Sequence, residues 1–103
     1  MMAMVTAYTP GKESCGKWSK YGKTSTGRDA RNTVGVAVCP KLIPYGSMVS
    51  VSGIGVRVAD DTGGAMRRHG TKGIVHIDVR MHSVKKAREF GKRWLPISVL
   101  GEI

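Results

Sequence analysis

Short apolar runs, alternating or β-branched and each closed within a few positions by Gly, Pro or Ser, leave this chain almost no room for helix. Residues 3–8 alternate and stop at Thr9-Pro10-Gly11; residues 34–38 read as a buried strand ended by Pro40 and by Pro44-Tyr45-Gly46. Residues 48–52 and 54–59 read as two strands joined tightly at Ser52-Gly53, residues 74–80 as another strand and 96–100 as the last. One stretch changes period. Ser83 can cap a short helix whose stripe is Val84, Ala87 and Gly91, with Gly91 as its terminator. Between the strands, residues 61–64 read as a turn, 67–73 as a basic loop and 12–33 as a long polar surface loop. About six strands and one short helix predict an all-β fold, a closed barrel, because closure removes the exposed edges of so small a sheet protein. The expected core is Val36, Val38, Val49, Val51, Val58, Ile77 and Val99.

With 103 residues the chain fits one domain, residues 1–103, with a single core. No run approaches the roughly 18 apolar residues of a membrane helix, so a soluble, globular protein without a membrane span is expected. Residues 1–5 are too short for a signal peptide and Lys12 follows soon after, which implies a leader already removed or another route to the place of action. The net charge of +10 implies a polyanionic partner or surface. The cations are spread along the chain without a nucleic-acid motif, so nucleic acid is not the expected partner, and a bacterial cell wall with its carboxylates and anionic polymers fits. A basic surface that merely solubilises a small protein is the plainer alternative.

Carboxylates are scarce, seven acidic residues against seventeen Lys and Arg, yet Asp60-Asp61-Thr62-Gly63-Gly64 follows a strand and Asp78 lies inside Ile74-Val75-His76-Ile77-Asp78-Val79. Asp is disfavoured in such β-type sequence unless a site needs it, which points to acid/base chemistry. Plainer readings exist for each. The Asp61-Thr62-Gly63-Gly64 segment can be an Asx-type turn, and Asp78 can pair with Arg57 or Arg80. His76 and Asp78 share a strand face by period two, but no third ligand is visible and zinc is not expected; nothing calls for a cofactor. The Asp61-Thr62-Gly63 triplet also marks aspartic proteases, but too little chain follows it for a flap and the remaining strands. Cys15 and Cys39 either form a disulfide, worth roughly 3.5 kcal/mol in the chain-entropy model, or remain two thiols with Cys39 a small buried hydrophobe. Trp18 suits stacking on a sugar, while Trp94 is expected to pack against the barrel.

Five motifs in order resemble the three-aspartate, or 3D, domain family: Val5-Thr6-Ala7-Tyr8-Thr9-Pro10, Gly22-Lys23-Thr24-Ser25-Thr26-Gly27, the segment from Val36-Ala37-Val38-Cys39-Pro40-Lys41 to Gly46, Ala59-Asp60-Asp61-Thr62-Gly63-Gly64-Ala65-Met66, and His76-Ile77-Asp78-Val79. The resemblance extends to Ala87-Arg88-Glu89-Phe90-Gly91 and on to Leu100, nearly the whole chain. It implies a small six-stranded double-psi β-barrel that cleaves peptidoglycan glycan strands, as lytic transglycosylases of the membrane-bound A type and the stationary-phase muralytic proteins do. On that likeness Asp78 is the catalytic acid/base and Asp61 supports it. Thr6, Tyr8, Thr24, Ser25, Thr26, Gly27, Lys41, Asp60, Gly63 and Gly64 would line the sugar groove. The implied place of action is the periplasm or cell wall, reached in a phage particle or on release at lysis. Two departures stand out. Cys39 occupies the place of the family's first Asp, and the connection from Asp61 to Asp78 is longer than usual, the excess falling in the basic stretch 67–74. The rival reading is a non-catalytic wall-binding or phage structural barrel, which Cys39 favours.

The charge balance predicts that binding to purified sacculi weakens steeply between about 0.05 and 0.5 M salt, because exposed charges are screened beyond roughly 4 Å at the upper end. A co-sedimentation series checks it; binding that ignores salt would place the attraction in sugar contacts instead.

Overall fold

The computed structural model describes residues 1–10 and 22–102, and among them lies a closed six-stranded barrel. The strands are β1 (Met2–Tyr8), β2 (Val36–Ala37), β3 (Ser47–Val51), β4 (Gly55–Asp61), β5 (His76–Arg80) and β6 (Arg93–Glu102), with helices α1 (Gly64–Thr71) and α2 (Val84–Phe90). Around the barrel the order is β1, β5, β2, β4, β3, β6. Two of the pairings are parallel, β1 with β5 and β2 with β4, and the rest antiparallel, which is the crossed arrangement of a double-psi barrel. The expected fold is therefore present.

Alternation explains the core. In β3, Ser47, Val49 and Val51 are buried while Met48 and Ser50 are half-buried. Val36, Val38, Val49, Val51 and Ile77 join Ala3, Val5, Ile43, Ala59, Val79 and Ile97 in one cluster. Two expected core residues are not in it. Arg57 stands opposite Val49 and Ala59 is fully buried, so Val58, one residue out of phase, turns to the other face and is half-buried. Val99 pairs with Val49, but the register slips there so that Met48 meets Gly101, and the bulge leaves Val99 40% exposed. Trp94 lies in β6 opposite Met4 and is 59% exposed rather than packed on the barrel.

The two helices have different origins. In α2 the Ser83 hydroxyl accepts a hydrogen bond from the Lys86 amide, and Gly91 closes the helix with a positive φ of 65°, as the sequence predicts. By contrast, α1 replaces the expected turn and basic loop. Two glycines and a threonine give it poor intrinsic propensity and it has no side-chain N-cap. It forms because Met66 is buried beside Tyr8 and Ala37, and because α1 packs against β5. The Arg68 and His69 side chains in its last turn suit the negative end of the helix dipole.

One polar group sits at the centre of this scaffold. Arg80 at the end of β5 is 2% exposed, and all five of its guanidinium hydrogens have acceptors. Nε donates to the Thr33 carbonyl at 3.1 Å; Nη1 donates to Asp60 Oδ1 at 2.9 Å and to the Tyr8 hydroxyl at 3.1 Å. Nη2 donates to Asp60 Oδ2 at 2.7 Å and to the Thr33 hydroxyl at 3.0 Å. Asp60 is itself 1% exposed and also accepts from Arg28 Nη1 at 2.5 Å. Gly35 must be glycine, since a Cβ there would fall 2.5 Å from Asp60 Oδ1. This corrects the expectation that Asp60 lies open to a sugar: burial of Arg80 demands its charge.

Removing one member of a buried pair leaves the other uncompensated, so Asp60→Ala should lower the unfolding free energy by about 3–5 kcal/mol. Urea denaturation of the two proteins measures this; a loss below about 1 kcal/mol would mean that Arg80 finds compensation elsewhere.

Candidate active site

The barrel brings two carboxylates to the flanks of one short strand. Ala37 in β2 is the register partner of Asp61 in β4 on one side and of Asp78 in β5 on the other. Two strand spacings, about 9–10 Å, therefore separate the two backbones. The small side chain of Ala37 lies between them, buried with Tyr8 and Met66. No local pattern in the sequence could supply this, because the three strands are distant in the chain.

The β1 strand completes the group. Its parallel register with β5 sets Thr6 beside Asp78 and Tyr8 beside Arg80. The Thr6 hydroxyl donates to Asp78 Oδ1 at 2.9 Å, and the Tyr8 hydroxyl donates to Asp61 Oδ2 at 2.9 Å. Burial first, then the charge of Asp61, hold the Tyr8 phenol well above its ordinary range, so it stays a donor. On its other side Tyr8 accepts from Arg80, which joins the buried Asp60–Arg80 pair to Asp61.

Asp61 also receives the turn that follows the undescribed part of the long loop. Its Oδ1 accepts from the Ser25 amide at 3.0 Å, the Ser25 hydroxyl at 2.7 Å and the Thr62 amide at 2.9 Å. Four donors thus converge on one carboxylate. Thr24, buried, accepts from the Arg28 amide and shares a bond with Thr26, whose hydroxyl donates to the Asp60 carbonyl. Gly27 takes the positive φ of 90° that lets this turn close.

Asp78 is different. Burial pushes its carboxyl up from 3.8 to about 6; the Thr6 hydrogen bond opposes the rise and the charge of Asp61 adds to it. An acid that holds its proton close to neutrality beside a carboxylate held by four donors is the pairing that general acid chemistry requires.

The residues expected at the site fall into three groups. Thr6 is bonded to Asp78, and Tyr8 and Ser25 to Asp61, two groups on either side of Ala37, with Thr24, Thr26 and Gly27 shaping the turn that reaches Asp61. Gly63 and Gly64 begin α1 directly after Asp61, and a Cβ on Gly63 would strike Met66 Cε at 2.6 Å. Lys41 is exposed in the turn following β2, whereas Asp60 belongs to the buried pair. Sequence reasoning missed Arg80, Arg28 and Thr33 as supports, and it missed His69. His76 was noted only for sharing a face with Asp78; it is bonded to Thr6 and His69.

Cys39 is a free, buried thiol; Cys15 and Trp18 lie outside the described residues. Cys39 lies against α1. A Cβ on Gly70 of α1 would fall 2.5 Å from Cys39 Sγ, so the extra helix lies directly on this side chain. An Asp at position 39 would be buried under a helix that leaves it no room.

A sequence model described as 3D domain matches residues 34–101. A protein of Bacillus subtilis (strain 168) named for cell wall shaping, YabE, is 35% identical over 103 residues, 97% of this chain and 23% of that protein. The cell wall-binding protein YocH of the same organism is 40% identical over 82 residues, 77% of this chain and 26% of that protein. The chain thus spans about a quarter of the length of these curated relatives.

The raised carboxyl makes a signed prediction for stability. Folded Asp78 binds its proton more tightly than the unfolded residue, so its contribution is full below about pH 4 and is lost as pH rises through about 6. Asp78→Asn removes that dependence. The variant should equal the parent near pH 4 and exceed it above pH 7 by up to about 3 kcal/mol. Thermal unfolding across that range would contradict the assignment if the two curves ran parallel.

Proposed function

This chain belongs to the 3D domain family, and we propose that it is a lytic transglycosylase that cuts the MurNAc–GlcNAc bond of peptidoglycan with Asp78 as acid and then as base. The observation that carries this reading is the pair across Ala37: an Asp78 carboxyl held near 6 and an Asp61 carboxylate fixed by four donors. Asp78 gives its proton to the glycosidic oxygen as the bond from that oxygen to C1 of the muramoyl sugar breaks. The resulting Asp78 carboxylate then takes the proton of the muramoyl 6-hydroxyl, whose oxygen bonds to C1 and closes a 1,6-anhydro ring. The first proton leaves on the released hydroxyl, the 6-hydroxyl proton restores the carboxyl, and water takes no part. Asp61 helps its neighbour to keep its proton and offsets positive charge developing at C1. Thr6, Tyr8, the 24–27 turn, Lys41, Gly63 and Gly64 line the groove for the strand. The place of action is the cell wall, where the net charge of +10 favours accumulation.

A second reading keeps the groove and drops the chemistry. One relative is named for cell wall binding, and the resemblance puts Cys39 at the place of the family's first Asp. A wall-binding module would need Thr6, Tyr8 and the turn, not the protonated carboxyl.

Substitution separates the two. Asp78→Asn keeps the shape and removes the titrating proton, so wall cleavage should fall by at least about 10²-fold while sacculus binding persists. Asp61→Asn should cost less, since it tunes the acid without carrying the proton. Dye release from labelled sacculi reads both; undiminished cleavage by Asp78→Asn would overturn the catalytic assignment.

A further inference from the structure

From Asp78 a chain of hydrogen bonds runs through Thr6 and His76 to His69 of α1. His76 Nε2 lies 2.8 Å from the Thr6 hydroxyl, and His76 Nδ1 lies 2.9 Å from His69 Nδ1. Thr6 has one hydroxyl hydrogen, and it goes to Asp78 Oδ1. The bond between Thr6 and His76 must then be donated by Nε2–H. A neutral imidazole has only that one N–H, so His76 Nδ1 accepts, and His69 Nδ1–H must donate to it. Each member fixes the next. His76 is buried, and burial, His69 and then Lys92 all lower its proton affinity, which keeps it in the neutral form this assignment needs.

We infer that His69 and His76 are positioning residues for Asp78: acting through Thr6, they fix Oδ1 as the accepting oxygen and leave Oδ2 as the one that carries the acid's proton. Without the histidines the Thr6 hydroxyl could turn, and the proton of Asp78 could sit on either oxygen. With the Thr6 hydrogen on Asp78 Oδ1, only one arrangement of the two imidazoles satisfies every donor. A polarised Thr6 hydroxyl is also a stronger donor to the carboxylate, because hydrogen bonds in series reinforce one another. His69 comes from α1, the helix formed by the long connection, so the extra segment contributes to the acid itself rather than only to a wall of the groove. The charged groups around the chain are Asp61 across Ala37, Lys92 ahead of β6, and Arg80, whose charge is matched by Asp60.

The catalytic consequence rests on the transglycosylase reading, but the geometry can be tested without it. In the intact protein, 15N shifts of the His76 ring near pH 8 should show Nε2 protonated and Nδ1 bare, and a protonated Nδ1 would overturn the chain. Because His69 does not touch Asp78, His69→Leu should move the 13C-detected titration midpoint of the Asp78 carboxyl upward by about 0.5 unit only through the relay. His69→Asn, which keeps an N–H at the position of Nδ1, should restore it. On soluble glycan strands His69→Leu should lower kcat about 10-fold with KM unchanged. An Asp78 midpoint unmoved by His69→Leu would overturn the inference even if the parent cleaves wall, whereas a shifted midpoint in a protein that cleaves nothing would support the relay and refute the transglycosylase.

Discussion

A guanidinium buried in a barrel of 103 residues is the constraint on which the rest of this structure depends. Desolvating a cation costs several kcal/mol unless its charge and all its hydrogens are matched. Arg80 meets that condition by gathering Asp60 from β4, Tyr8 from β1 and Thr33 from the long connection before β2. Arg28 and Gly35 are there because Asp60 is there, one as a second cation and one because nothing larger than hydrogen fits beside the carboxylate. The buried pair is therefore less a source of stability than of uniqueness: it admits one placement of the 24–35 segment. That placement puts Ser25 on Asp61.

Two separate polar networks end on the two carboxylates. Arg80 reaches Asp61 through Tyr8, so Asp61 gains its four donors from groups fixed by the buried pair. Among the described residues Asp78, two residues before Arg80 on the same strand, shares none of those donors and is bonded through Thr6 to the histidines. Two aspartates flanking one alanine thus sit in different surroundings, and burial holds the Asp78 carboxyl above the ordinary carboxylate range.

Much of this was legible in the sequence, and the failures have physical causes. Period-two runs and their Gly and Pro stops located all six strands, since alternation is set by the pleat itself. Ser83 and Gly91 bounded α2 because caps are local chemistry. The α1 helix is hidden: its own residues disfavour it, and it forms through the contacts of Met66 with Tyr8 and Ala37 and of Gly70 with Cys39 after β2. Val58 and Asp60 were misplaced for one shared reason. Both lie out of phase with Ala59, and the phase of β4 is fixed by pairing with β3, which composition does not reveal. Asp61 and Asp78 were found as unusual residues, but their meeting across Ala37 belongs to the crossed topology, and His69 carried no local signal at all.

In the proposed mechanism Asp78 cleaves a glycosidic bond and is reprotonated by the sugar rather than by water. Purified peptidoglycan digested by the parent protein in water enriched in oxygen-18, with the released fragments weighed by mass spectrometry, tests it most directly. The account predicts 1,6-anhydro-muramoyl ends that carry no heavy oxygen. Reducing ends labelled with oxygen-18 would make the protein a hydrolase, and the absence of any released fragment would contradict catalysis altogether.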